Sequence, residues 1–211
     1  MSSVTVGEQN MTPVAKWTRI NADGTYESGN GWLRNSEGTW TFDEHDQTFT
    51  QTETNGVEDP YGAFSISITN EGEEMTWQRE EEGMMVEVTL TKLNELPKAP
   101  ADAIQGLWDL ESVHQNDEDI TDTFDPDNQY YTFIRWDRIY MLRNSEGERK
   151  TGYWHMDGHR PEMTMIPHDE GEPTERWSVS VQNDNKLVMT ELTESNQHQT
   201  LIFSRIDSFP Q

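Results

Sequence analysis

The chain reads as short runs in which apolar and small polar residues alternate with a period of two. AFSISITN (63–70), MMVEVTLTKL (84–93), RWSVSVQN (176–183) and HQTLIFSRI (198–206) all follow this pattern. It puts every second side chain on one face of a strand. Turn-forming clusters break the runs at short intervals: NADG, GNG, DPYG and NEGEE in the first half, then MDGHRP, HDEGEP and QNDNK in the second. No stretch carries a sustained apolar stripe of 3.6-residue period with helix caps. Many short strands between turns predict an all-β protein, an antiparallel sandwich or barrel.

The pattern repeats. A shift of 114 residues lays Tyr26 on Tyr140, GTW (38–40) on GYW (152–154), Asp43 on Asp157 and Phe49 on Met163. A shift of 113 lays FSISI (64–68) on WSVSV (177–181) and TKL (91–93) on SRI (204–206). Matching order and spacing over most of each half imply a duplication. The hexapeptide LRNSEG occurs at 33–38 and again at 142–147. It matches at 109, five residues out of step with the rest.

The segment NELPKAPADA (94–103), rich in Pro and Ala, lacks periodicity and reads as a linker. It predicts a first domain at 1–95, a linker at 96–103 and a second domain at 104–211. The second accommodates eight strands, at 104–114, 129–135, 138–143, 150–156, 161–167, 174–182, 185–192 and 198–206. Eight antiparallel strands in an up-and-down order close into a barrel and remove the edge strands that invite aggregation.

IQGLWDLESV (104–113) resembles the opening strand of lipocalin-like (calycin) domains, with their Gly-x-Trp at the barrel floor. LIFSRI (201–206) resembles their closing strand, whose Arg packs over that Trp. The positions here are Gly106, Trp108 and Arg205. The resemblance implies a structural plug, a planar cation over an indole face. The chain as a whole resembles bacterial tandem lipocalin-like proteins. That implies two tandem antiparallel up-and-down barrels. The first departs from the pattern: Lys92 stands where Arg205 does, and the counterpart of Trp108 falls before or at Met1. Its first strand is therefore expected to be short or truncated, with SVTV (3–6) closing the barrel or a neighbouring chain completing it. A homo-oligomer is the corresponding partner expectation.

Composition adds a thin core under a polar skin. Hydrophobic residues make up 32%, but 8 Trp, 7 Phe and 6 Tyr supply the bulk that disordered chains lack. Forty acidic residues against fifteen basic give a formal charge of −25. Such a surface repels phosphate backbones and anionic lipid, so no nucleic-acid partner is expected. No apolar run approaches the roughly 20 residues of a spanning helix, so no membrane insertion is expected either. With no cysteine, disulfides, thiol nucleophiles and Cys-based metal sites are excluded. The opening MSSVTVGEQNMTP lacks the basic and apolar regions of a signal peptide. A soluble protein is expected, cytoplasmic or exported with its leader removed.

Strand parity puts Trp154 and Met156 on one face, with Met163 and Met165, Trp177 and Val179, and Leu201 and Phe203 as further same-face pairs. If these faces converge, the second barrel has an interior of Trp, Met and Phe suited to an apolar ligand. Tyr131, Phe133 and Tyr140 would add a polar handle. The same side chains also suffice to fill a barrel of about 100 residues.

Other chemistry finds less support. His155, His159 and His168 lie near Asp157 and Glu162, a donor set for Zn²⁺ or Fe²⁺. Alternation with Trp154 and Met156, however, turns His155 outward. The Gly/Tyr-Pro pattern of haem-binding nitrobindin relatives is absent after Trp108. The acidic loop at 116–128 carries Asp117, Asp119, Asp125 and Asp127 but lacks the EF-hand glycine. Arg205 lacks the Tyr that fatty-acid-binding relatives pair with it. No motif for acyl transfer, phosphate binding, zinc hydrolysis or dinucleotide binding occurs. The expectation is a non-catalytic protein with no cofactor and no metal, binding a small hydrophobic or amphipathic ligand in the second barrel. The alternative is a filled-barrel interaction or structural module that assembles with itself or a protein partner.

Overall fold

The computed structural model describes residues 1–55, 57–192 and 199–210. It divides into two compact units, Met1–Ala99 and Pro100–Gln211. Both are antiparallel sheets, as the period-two patterning requires.

In the second unit a short helix α1 (Pro100–Ala103) leads into β10 (Gly106–Gln115), the hairpin partner β11 (Glu118–Asp119) and a single helical turn α2 (Thr121–Phe124). Then come β12 (Tyr131–Ile134), β13 (Ile139–Arg143), β14 (Arg149–Met156), β15 (Glu162–Pro167), β16 (Glu175–Gln182), β17 (Lys186–Glu191) and β18 (Gln199–Ile206). Each strand from β12 onward pairs with the next, and β10 pairs with both β12 and β18. One strand serves two neighbours because its first part, from Gly106 to Asp109, lies beside β12. Its length from Leu107 to Gln115 also lies beside β18, with a bulge between Leu110 and Ser112. The eight strands thus form a closed barrel. Residue 198, expected to open the last strand, lies outside the described residues.

The first unit contains β1 (Ser3–Val6), β2 (Gln9–Asn10), β3 (Lys16–Ile20), β4 (Thr25–Asn30), β5 (Leu33–Asp43), β6 (Thr48–Asn55), β7 (Phe64–Thr69), β8 (Glu74–Glu81) and β9 (Met84–Thr91). Its sheet runs β2-β1-β9-β8-β7-β6-β5-β4-β3. Among the described residues no ladder joins β1 to β3, so SVTV pairs with β9 without closing the ring. Just before β1, Met1 N donates to Lys16 O of β3 at 3.0 Å.

The duplication extends to single hydrogen bonds. Trp40 Nε1 donates to Asn21 O and Trp154 Nε1 to Arg135 O, each at 2.9 Å. Asp43 accepts from His45 N at 2.8 Å, as Asp157 does from His159 N. These pairs are 114 residues apart. At Gly38 and Gly152 a Cβ would collide with the ring of Tyr26 or Tyr140. Glycine is what lets each tyrosine lie flat across the neighbouring strand.

The first hairpin follows a different spacing. Thr12 Oγ1 accepts from Val4 N and Thr121 Oγ1 from Val113 N, both at 2.9 Å. Each threonine also donates at 2.6 Å to the side chain two residues before it, Asn10 or Asp119. These partners are 109 apart. The five extra residues in the second unit fall between Thr121 and β12, where α2 and the following loop lie. LRNSEG shares the number 109 by accident of position. Residues 33–38 are strand β5, whereas 144–147 form the turn after β13, and Gly38 answers to Gly152.

Candidate functional site

The floor of the second barrel is built around Trp108, which is fully buried and donates its indole N–H to Ile104 O at 2.7 Å. Arg205 stacks over it, Cζ 4.1 Å from the ring centroid. The guanidinium is held by three carbonyls: Asp184 O on Nε at 2.7 Å, Gln105 O on Nη1 at 2.7 Å and Ala103 O on Nη2 at 2.9 Å. Gly106 has φ +141, and a Cβ there would strike Arg205. The fork geometry of arginine serves all three acceptors at once, which an ammonium would not do.

Above the floor, Tyr140, Trp154, Met163, Met165, Trp177 and Phe203 are buried and pack into a single cluster, with Met156 against it. The structure therefore gathers seven of the nine side chains expected to line this interior. They touch one another, and each is less than one-tenth exposed except Met156.

Tyr131 and Phe133 are not among them. They lie on the opposite face of β12, where Phe209 packs edge-on against both, ring centroids 5.6 and 5.7 Å away. Their burial comes from the chain's own tail. The interior residue is the neighbour, Tyr130, which contacts Phe124 and Phe203. Burial raises the Tyr130 hydroxyl far above the ordinary range and pushes Tyr140 up to about 12. Both stay neutral at any ordinary pH. Glu175, though exposed at the start of β16, is also raised by partial desolvation, against the lowering effect of Trp177 Nε1, which donates to it at 3.1 Å.

The remaining candidates find local employment. His155, His159 and His168 are exposed. No group of three metal-ligating side chains converges among the described residues. In the acidic loop, Asp119 accepts from Thr121 N and Oγ1, bonds that hold its carboxyl below the usual range. Asp125 is buried and accepts from Gln129 N at 3.1 Å and Tyr130 N at 2.9 Å. These carboxylates satisfy the backbone donors of Thr121, Gln129 and Tyr130, which lie outside the strands.

The first unit holds what the sequence did not reveal, a cavity of about 410 Å³. Its walls are residues 17–20 of β3, residues 72–75 leading into β8, residues 90–97 at the end of β9 and beyond, and Met1. Ile20, Met75, Leu90 and Met1 join it to the core cluster of Phe49, Phe64, Trp77, Val86 and Val88. Leu93 and Leu96 stand at its rim, 55% and 41% exposed. Lys92 lies 3.2 Å from Glu73 with both side chains more than half exposed, a screened pair of little weight. The volume is that of a small-ligand pocket, and the walls combine apolar surface with a few polar groups.

No helix among the described residues is long and apolar enough to cross a membrane. The class these features define is an all-β protein of two tandem antiparallel barrel units, one closed and one open. No protein-family model matches the chain, and no curated protein is significantly similar to it.

Proposed function

We propose that the protein is a non-catalytic binding module whose site is the cavity of the first unit, taking a small hydrophobic or amphipathic ligand. The observation that carries this is the contrast in filling. The second barrel's interior side chains meet one another, whereas residues 17–20 and 90–97 face about 410 Å³ of open space. Apolar burial supplies the driving force, roughly 25 cal/mol per Å² withdrawn from water.

Titration with the fluorescent apolar probe anilinonaphthalene sulfonate, with laurate as competitor, tests this reading. One saturable site is expected. Leu93→Glu and Leu96→Glu, at exposed rim positions that leave the fold intact, are expected to weaken it about tenfold, the loss of one buried apolar anchor. Unchanged binding in both variants would place the site elsewhere.

A further inference from the structure

The outer face of β13, β14 and β15 carries side chains that the core does not use. Ile139, Tyr153 and Ile166 stand side by side in one row across the three strands. Tyr153 is 55% and Ile166 44% exposed. At a spacing of 114 the same row in the first unit is Thr25, Thr39 and Thr52, again in register. The next row is Met141 and Thr151 in the second unit, against Glu27 and Glu37 in the first. The second unit has thus put bare apolar side chains on the surface of a chain with forty acidic residues. The tail covers the neighbouring Tyr131 and Phe133 with Phe209, but Tyr153 and Ile166 stay exposed.

Four residues further along β13 and β14, Arg143 and Arg149 stand directly opposite each other. Like charges in that position repel. The first unit has such a pair in Glu27 and Glu37, and there Arg34 bridges it, 3.4 Å from one and 3.1 Å from the other. The arginine pair has no bridge. Among the described residues neither guanidinium forms an ion pair, and Arg143 Nε is buried without an acceptor. The adjacent carboxylate, Glu148, accepts from Asn144 Nδ2 at 3.3 Å and lies 4.0 Å from Lys150. A repelling pair and an orphaned donor both cost stability, so the fold itself gains nothing from this arrangement.

We propose that this face docks an acidic protein segment. Its carboxylate bridges Arg143 and Arg149, and its aromatic or aliphatic side chain lies on the row of Ile139, Tyr153 and Ile166. The two contacts are about 13 Å apart, four residues at roughly 3.3 Å each, so the same spacing serves an extended segment. Planar guanidiniums match a carboxylate with paired N–H donors, and the apolar row supplies area to bury. The formal charge of −25 repels nucleic acid and anionic lipid. At physiological salt a Debye length of about 8 Å screens that charge enough for a short acidic segment to approach.

The test uses the 211-residue protein and a fluorescein-labelled peptide of eight residues. The peptide has two adjacent glutamates, two adjacent phenylalanines four positions on, and serine elsewhere. Fluorescence anisotropy is expected to show saturable 1:1 binding. Arg149→Gln should weaken it about tenfold, and Tyr153→Thr, which restores the first unit's residue, by a similar factor. Both positions are exposed. The urea midpoints of the two variants should stay with the parent's, so that lost binding is not lost folding. No saturation, or parent-like binding by either variant, overturns the proposal. So does loss of binding in Leu93→Glu, which would place the peptide in the cavity of the first unit. A dimer of the protein alone in sedimentation, abolished by Tyr153→Thr, would give the face to a second copy and overturn it as well.

Discussion

Thr132 and Thr18 occupy the same place in the two units and live in different surroundings. Thr132 is buried, paired with Trp108 of β10 inside a ring that closes on itself. Thr18 belongs to a strand paired on one side only, and its free side borders a cavity. Nearly everything else matches, down to the tryptophan bonds and the tyrosine laid on glycine. The difference is about three residues of strand and one indole. In the second unit the first part of β10 lies between β12 and β18, and in the first unit a cavity borders the corresponding strands.

The largest expected effect comes from making the closed unit resemble the open one. Trp108→Ala removes a fully buried indole and its bond to Ile104 O. A loss of about 3–5 kcal/mol is expected for the second unit, the range for large-to-small core changes. Denaturant unfolding followed by hydrogen exchange in each unit should show the first unit unmoved.

Gly38→Ala and Gly152→Ala probe the feature both units share. Each added methyl meets a tyrosine ring and a strand carbonyl. Each is expected to cost about 2–3 kcal/mol in its own unit, as overpacking does. Comparable losses support the equivalence; a loss in one unit alone would contradict it.

Arg205→Lys and Lys92→Arg exchange the plug residues. The first gives up the fork that reaches three carbonyls and is expected to cost about 1–2 kcal/mol. The second should change stability by less than about 0.5 kcal/mol, because Lys92 is exposed. Urea midpoints at constant m-value measure both.

The smallest effect concerns Glu175. Glu175 is exposed at the start of β16, yet the loss of water around its carboxyl raises its folded-state pKa, so its charged form is slightly less favourable in the native state than in the unfolded one. Stability is then lost as pH rises through the interval from the unfolded to the folded value, and none is lost below the unfolded value. Glu175→Gln, which keeps an acceptor for Trp177, should be slightly more stable than the parent at pH 7 and equal to it near pH 3. Thermal melts at the two pH values read this directly.

Much of the fold was legible because period two is a local property. The alternations around Trp154, Met163 and Trp177 place these residues inside, and the 113–114 repeat pairs the strands correctly. Tyr131 and Phe133 were misplaced because adjacent aromatics at 130, 131 and 133 offer two parities. The choice between them is made by a distant residue, Phe209, that covers the outer face. The cavity was hidden for a related reason, since it depends on which strand segment fails to lie between two others. A signal did exist: Val4, Asn10 and Thr12 answer to Val113, Asp119 and Thr121 at 109 rather than 114.

The most direct test of an open first unit beside a closed second one is native-state hydrogen exchange at four amides. Those of Thr18 and Ile20 should exchange rapidly, as edge groups facing solvent do. Those of Thr132 and Ile134, aimed at β10, should be protected by orders of magnitude more. Equal protection at the two pairs would mean that the slot beside β3 is already covered, and the contrast between the units would fall.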